Sequence, residues 1–309
     1  MTKEQLLNQI KPMIDLTTDH QPYYMILSSS FPMESHLPQD VSYQDHVLKF
    51  RNQNPMTFYI IYDGKDELSL HIHFEAYTQV DLIEVKTLDV KACLHKTMTL
   101  DEGAQVHVFS ENLSHSASSH EDVYLQSYAQ CQYGYSELSD DSFEGIYHFY
   151  LDGVEARAQV RTAILSKNQE NKHYEILIQH NQPMTYGQMD NYGVVKDSGK
   201  LVIDGIGTIT KGQHGSAAHQ TNKIMVFDEA CHACANPYLY IDDYDVQASH
   251  AAAVGKMDEE HLYYLQSRGL TKKQAMQLIT YGYLMPVVEV IDNEMIKKHF
   301  ENSLSKVGA

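Results

Sequence analysis

The sequence predicts an all-β body followed by a helical C-terminus. Two observations carry this. From about Thr57 to Val246, segment after segment places apolar residues at every second position, as in LSLHIHF, where Leu68, Leu70, Ile72 and Phe74 share one face. That is the period of a half-buried strand. From about Asp258 the apolar spacing changes to three and four, the period of a helix with one buried stripe.

Taken in order, the chain starts with a short helix in which Leu6, Leu7 and Ile10 share a face and which Pro12 limits. The stretch SSSFPMESHLPQD, with two prolines among turn residues, reads as loop. The strand region follows. In VEARAQVRTAI, Val154, Ala156, Ala158, Val160 and Thr162 take one face and Glu155, Arg157, Gln159 and Arg161 the other. EILIQ, KLVIDGIGTITKG and NKIMVF continue the pattern. A last strand around His250 is expected to turn at Gly255. Asp258 then caps a helix carrying Leu262 and Leu265, and Gly269 suits the position just past its end. Thr271 and Gln274 form a capping box for a second helix with Ala275, Leu278 and Ile279. Pro286 ends it, and a third helix turns Val288, Ile291, Met295 and Phe300 inward. The expected division is residues 1–56 as an N-terminal helix and loop segment, 57–247 as the β core and 248–309 as a helical subdomain closing the body.

Strands with no helices between them exclude a doubly wound α/β fold, which needs helical crossovers. An antiparallel sandwich and a β-solenoid both remain. The run from Tyr192 to Phe227 leans toward the solenoid, because short apolar strands alternate with glycine-bearing corners and Gly207 and Ala218 suit a narrow interior. No repeat is visible in the letters.

With 23 Lys and Arg against 41 Asp and Glu, the net charge is -18. Such a surface is unsuited to nucleic acid or anionic membrane, both of which need clustered positive charge. The N-terminal residues MTKEQLLNQIKPMI lack the apolar core of a signal peptide, and no stretch approaches the length of a bilayer span. A cytoplasmic protein with reduced thiols is expected, its cysteines being Cys93, Cys131, Cys231 and Cys234.

No phosphate loop or nucleophile elbow is present; GIGTITKG lacks the Walker spacing. Asp140, Asp141 and Glu144 gather in LSDDSFEG, and acidic pairs of this kind hydrolyse glycosides in some solenoid enzymes. A solvated loop is the plainer reading. HGSAAHQ and CHAC supply His214, His219, Cys231, His232 and Cys234. The Cys-x-x-Cys spacing is half of a zinc site, but a core strand separates His219 from Cys231. The plain reading is two cysteines in a turn before Pro237. His250, among Ser249 and alanines, is a residue that strand formation does not ask for.

From Asp228 to Leu284, DEACHACANPYLYIDDYDVQASHAAAVGKMDEEHLYYLQSRGLTKKQAMQLITYGYL resembles the C-terminal part of the SufB/SufD family of the SUF iron–sulfur cluster assembly machinery. QTNKIMVFDEA matches the family's preceding strand, the resemblance covers about Gln220 to Pro286, and the chain is shorter than typical members. The resemblance implies a right-handed parallel β-helix with a C-terminal helical subdomain. It also implies a non-catalytic assembly component with two kinds of partner: a SufC-like ABC-type ATPase gripping the helices, and a SufB-like subunit or a second copy pairing through the β-helix. His250 matches the SufD-type histidine implicated in handling a transient iron–sulfur cluster at the subunit interface. SufB-like members carry a cysteine and a glutamate where this chain has Thr221 and Ala251, so the chain looks SufD-like. Cys231 and Cys234, with His219, are the further metal candidates, and zinc would enter only through them. Tyr263, Tyr264, Tyr281 and Tyr283 exceed what two inward helix faces need and are the expected ATPase contacts. The rival readings are a homodimeric scaffold of a minimal two-component system, a β-solenoid carbohydrate-active enzyme and a zinc-binding module.

Overall fold

The computed structural model describes residues 2–14 and 21–306. Among these, nineteen strands form two sheets, and from Val47–Phe50 onward consecutive strands alternate between them. One sheet runs from Glu34–His36 and Tyr23–Ser28 through Met56–Gly64 to Gln247–Lys256; the other runs from Val41–Gln44 and Val47–Phe50 to His232–Ile241. From Met56 onward every pairing is parallel, as in Tyr186–Val195 against Ala217–Val226. The body is therefore a two-sheet β-solenoid, with each pair of strands making one rung.

Alternation places one face of each strand in the lumen. Leu68, Leu70, Ile72 and Phe74 are buried there, as are Ala156, Ala158, Val160 and Thr162. Val154 and Glu155 lie in the preceding turn instead, and the strand begins at Arg157. The reason is the corner itself. Tyr77, Gly103, Tyr128, Glu155, Met184 and Gly215 all adopt positive φ. Each donates its N–H to a carbonyl one rung on, Tyr77 to Glu102, Gly103 to Ser127, Tyr128 to Val154, Glu155 to Pro183, Met184 to His214 and Gly215 to Asp245. These corners form a hydrogen-bonded ladder of their own.

The lumen also holds charge. Lys96 Nζ lies 2.6 Å from both Glu84 Oε2 and Glu121 Oε2, and Lys86 pairs with Glu121. Tyr62 donates to Glu84 and Tyr133 to Glu121, each at 2.7 Å, and Ser119 to Glu121 at 2.9 Å. A second group joins Lys172 to Glu137, which also accepts from Tyr174 at 2.6 Å. Burial alone would raise the Glu121 carboxyl, but the Lys86 and Lys96 ammonium groups outweigh it and hold the group at about 2.

The helices make a second core on the outer face of the larger sheet. Leu6, Ile10 and Met13 meet Ile296, Phe300 and Leu304 over Ile61, Ile83 and Phe109. Gly134 lets the 3₁₀ turn Met285–Val290 lie close, since a Cβ there would come within 2.7 Å of the Val287 carbonyl. The helices Glu259–Ser267 and Lys272–Leu284 have the expected caps at Asp258 and Thr271. Gly269 has φ +96. Leu278 is exposed, and the inward residues of the last helix, Glu294–Lys306, are Ile296, Phe300 and Leu304. The helices thus run beside the solenoid and do not close its end. The last strand passes straight through Gly255 to Lys256, and none of its ten residues is buried. Near the N-terminus, Glu34–His36 and Val41–Gln44 each add an antiparallel edge where much of the sequence reads as loop.

Candidate functional site at the open end

Among the described residues, the C-terminal end of the solenoid presents two strands that are each paired along one edge only. Gln247–Lys256 pairs only with Ala217–Val226, and His232–Ile241 only with Lys200–Ile209. Gln247 and Met257 donate their N–H groups inward, to the carbonyls of Ser216 and Val226. Along a parallel strand this direction alternates, so the even-numbered residues from Ala248 to Lys256 turn N–H and C=O to the free edge. Pro237 lies in the other edge strand, a position where a proline is tolerated. Tyr238 and Tyr240 stack on that strand with ring planes 1° apart, and both are exposed together with Tyr244 and Val254. Sequence reasoning missed this aromatic edge. Its signal was the spacing in YLYIDDY.

His250 stands beside Gln220, whose side chain is buried and reaches across the lumen to the Tyr238 carbonyl at 2.8 Å. His250 therefore occupies the lumen side of its strand and is exposed because no rung stacks over it. Thr221 and Ala251 are register partners. The two positions that the resemblance sets against the SufB-type cysteine and glutamate are thus adjacent in space.

The remaining candidates do not converge with His250. His219 points to the outer face of the larger sheet, where Nδ1 lies 2.7 Å from Ser249 Oγ. Cys234 is exposed on the outer face of the smaller sheet, beside Val202, with Sγ 3.1 Å from Asn236 Oδ1. Cys231 precedes that strand, and its thiol faces the Asp197 carbonyl; burial pushes the thiol up. His219 and Cys234 thus lie on the outer faces of opposite sheets, while Cys231 packs against the lumen core. Asp140 pairs with Lys167 at 2.6 Å, and Asp141 accepts from Ser116 and from the Ser142 backbone, so both are engaged in holding a corner. Glu144 is exposed on the following strand.

On the helices, Tyr263 and Tyr264 are 75% and 56% exposed. Tyr281 donates to Glu301, and Tyr283 is half-buried, edge-on to Tyr192 at 5.8 Å. Leu270, Leu278 and Tyr281 line an open groove of about 380 Å³ between the last two long helices. No helix among the described residues is long and apolar enough to cross a membrane.

The Bacillus subtilis iron–sulfur cluster assembly protein SufD is 34% identical over 167 residues, which is 54% of this chain and 38% of that protein. SufD of Escherichia coli is 24% identical over 158 residues, 51% of this chain and 37% of the relative. A SufBD family protein of Staphylococcus saprophyticus is 26% identical over 132 residues, 40% of this chain and 28% of the relative. The matched segments span well under half the length of these relatives. Residues 64–283 match the family described as SUF system FeS cluster assembly, SufBD core domain. The match takes in the solenoid from its early rungs to the open end, and the chain belongs to the SufBD family, with its resemblance to SufD.

Proposed function

We propose that this chain is a SufD-like subunit of an iron–sulfur cluster assembly complex, with no catalytic step of its own. It pairs with a SufB-like partner through the open solenoid end and takes a SufC-like ATPase on its C-terminal helices. The observation that carries the reading is the uncapped last rung. A fully exposed ten-residue strand with a free edge is a template for another chain, and His250 sits near its middle. A cluster would pass through this interface as cargo. Thr221 and Ala251 supply neither thiolate nor carboxylate, so a partner of different sequence would complete the ligand set around the His250 imidazole. The homodimer is the second reading, since a free edge can also pair with its own copy.

His250→Ala tests the role of the imidazole. The side chain is exposed, so the variant should melt within about 1 kcal/mol equivalent of the parent while failing to support cluster assembly in cells lacking the native gene. Full complementation by the variant would remove His250 from the mechanism.

The ATPase surface is tested at Tyr263 and Tyr264, because changing Tyr283 would also disturb its packing on Tyr192. Replacing both exposed tyrosines with serine should leave the helices folded by circular dichroism and reduce co-purification of the cognate ATPase at least tenfold, a loss of about 1.4 kcal/mol or more. Undiminished recovery would place the ATPase elsewhere.

A further inference from the structure

The outer face of the smaller sheet carries histidines on successive strands. In-register parallel stacking sets His95 beside His120, and Asp122 beside His148. At one place two imidazoles and a carboxylate meet. His120 and Asp122 are two apart on the strand Ala117–Leu125 and so share a face, while His148 comes from the next strand, Phe143–Leu151. We propose that His120, Asp122 and His148 form a binding site for a divalent first-row transition metal, of the two-histidine, one-carboxylate type.

The distances suit an ion. One potential ligand atom from each residue lies within 4.8 Å of the others. His120 Nε2 is 3.6 Å from Asp122 Oδ2, and His148 Nδ1 is 3.6 Å from Asp122 Oδ1. Tetrahedral ligands bound at ~2.0–2.1 Å stand about 3.4 Å apart, so each histidine already stands near ligand spacing from the carboxylate, and closure draws the two imidazoles, whose ligand atoms lie within 4.8 Å, toward each other.

The second observation concerns the tautomer. His148 Nε2 lies 2.8 Å from Glu175 Oε1, on the strand Asn171–His180. That carboxylate takes the Nε2–H and leaves the lone pair of neutral His148 on Nδ1, facing Asp122. A metal-binding histidine commonly has its second nitrogen held this way. The Tyr150 hydroxyl, 3.3 Å from Nδ1, can donate to that lone pair when no metal is there. The side chains of His120, Asp122 and His148 are 39%, 28% and 17% exposed, so an ion can enter from solvent and retain water in its open positions.

Imidazole ligands select zinc or ferrous iron over calcium or magnesium, which prefer oxygen. The other close histidine–carboxylate pairs on the body, His73–Asp101, His107–Asp81 and His173–Asp204, bring no such trio together among the described residues. They tie neighbouring rungs to each other. The site lies three to four strands from the open edge of its sheet, about 14–19 Å at ~4.8 Å per strand, and does not depend on the reading of His250.

The test uses the full chain, stripped with chelator and titrated with Co²⁺ and then Zn²⁺. The expected result is one Co²⁺ per chain, with visible d–d bands of nitrogen and oxygen ligation, displaced by Zn²⁺. His148→Ala and the near-isosteric Asp122→Asn should each weaken binding at least tenfold. Glu175→Gln should weaken it by roughly 10–100-fold, as loss of an outer hydrogen bond does. His73→Ala, which removes a histidine–carboxylate pair elsewhere on the same face, should leave affinity unchanged. Absence of stoichiometric binding, equal affinity in folded Asp122→Asn, or a thiolate-to-cobalt charge-transfer band would each overturn the assignment.

Discussion

Ala252→Pro is expected to abolish pairing through the open end while leaving the fold intact. Ala252 is one of the even-numbered residues whose N–H faces the free edge, so proline there removes a bond to an incoming strand and none to Ala217–Val226. The neighbouring odd position is the control. Ala251→Pro removes an inward bond to the preceding strand and should loosen the last rung itself. The two variants differ by one residue and by the side of the strand they disarm. Size-exclusion chromatography with light scattering, on the chain alone and with a SufB-like partner, separates the outcomes. Loss of the complex by Ala252→Pro at an unchanged melting temperature supports strand addition. An undiminished complex would move the partner surface away from this edge.

The largest effect on stability is expected inside the solenoid. Lys96→Met leaves Glu84 and Glu121 facing each other with only Lys86 to compensate them. Breaking a buried ion network on one side costs about 3–5 kcal/mol, because an uncompensated charge stays in a dry interior. Guanidinium denaturation at pH 7 should show the loss, and lowering the pH toward 5 should restore part of it, as the unpaired carboxylate takes up a proton. The parent protein should respond in the opposite sense. Glu121 is held at about 2, below its ordinary 4.5. Its contribution, on the order of 3 kcal/mol, is fully present above pH 4.5 and is lost as the pH falls through 2. A parent whose stability rose between pH 4.5 and 2 would contradict this electrostatic account.

Much of the architecture was legible in the chain because period two and period three to four survive in the letters. LSLHIHF shows its buried face directly, and Asp258, Thr271 and Gly269 mark helix ends by chemistry specific to those positions. The rung repeat was hidden for a physical reason. What recurs at each corner is a left-handed backbone angle and a hydrogen bond, and the residues supplying it are Tyr77, Gly103, Tyr128, Glu155, Met184 and Gly215. The rungs also lengthen: Met56 stands beside Val80, 24 positions on, and Tyr186 beside Ala217, 31 positions on. No fixed period could be read from such a chain. The lumen charges left a trace, since Glu84 and Lys86 fall on the inward phase of QVDLIEVKTL, but a polar residue on that phase looks like a break in the strand until its partners on other rungs are known. The His120, Asp122 and His148 group was invisible for the same reason. Its members are assembled by register, which the letters do not state. His250 stood out in sequence through its alanine neighbours, whereas its lumen-side orientation comes from pairing with Gln220.

The helical layer has a consequence for how the molecule comes apart. In a bare solenoid each rung interacts only with its neighbours, so unfolding can start at either end and proceed stepwise. Here the N-terminal helix, the Met285–Val290 turn and the helix Lys272–Leu284 together touch strands from Met56–Gly64 to Tyr186–Val195. Those rungs are strapped into one cooperative block. Gln247–Lys256 lies beyond the strap, with a neighbour on one side only. Its backbone amides can exchange with solvent by local fraying, at a free energy far below that of global opening. The strand that carries His250 is thus the segment of the solenoid with the most order left to gain.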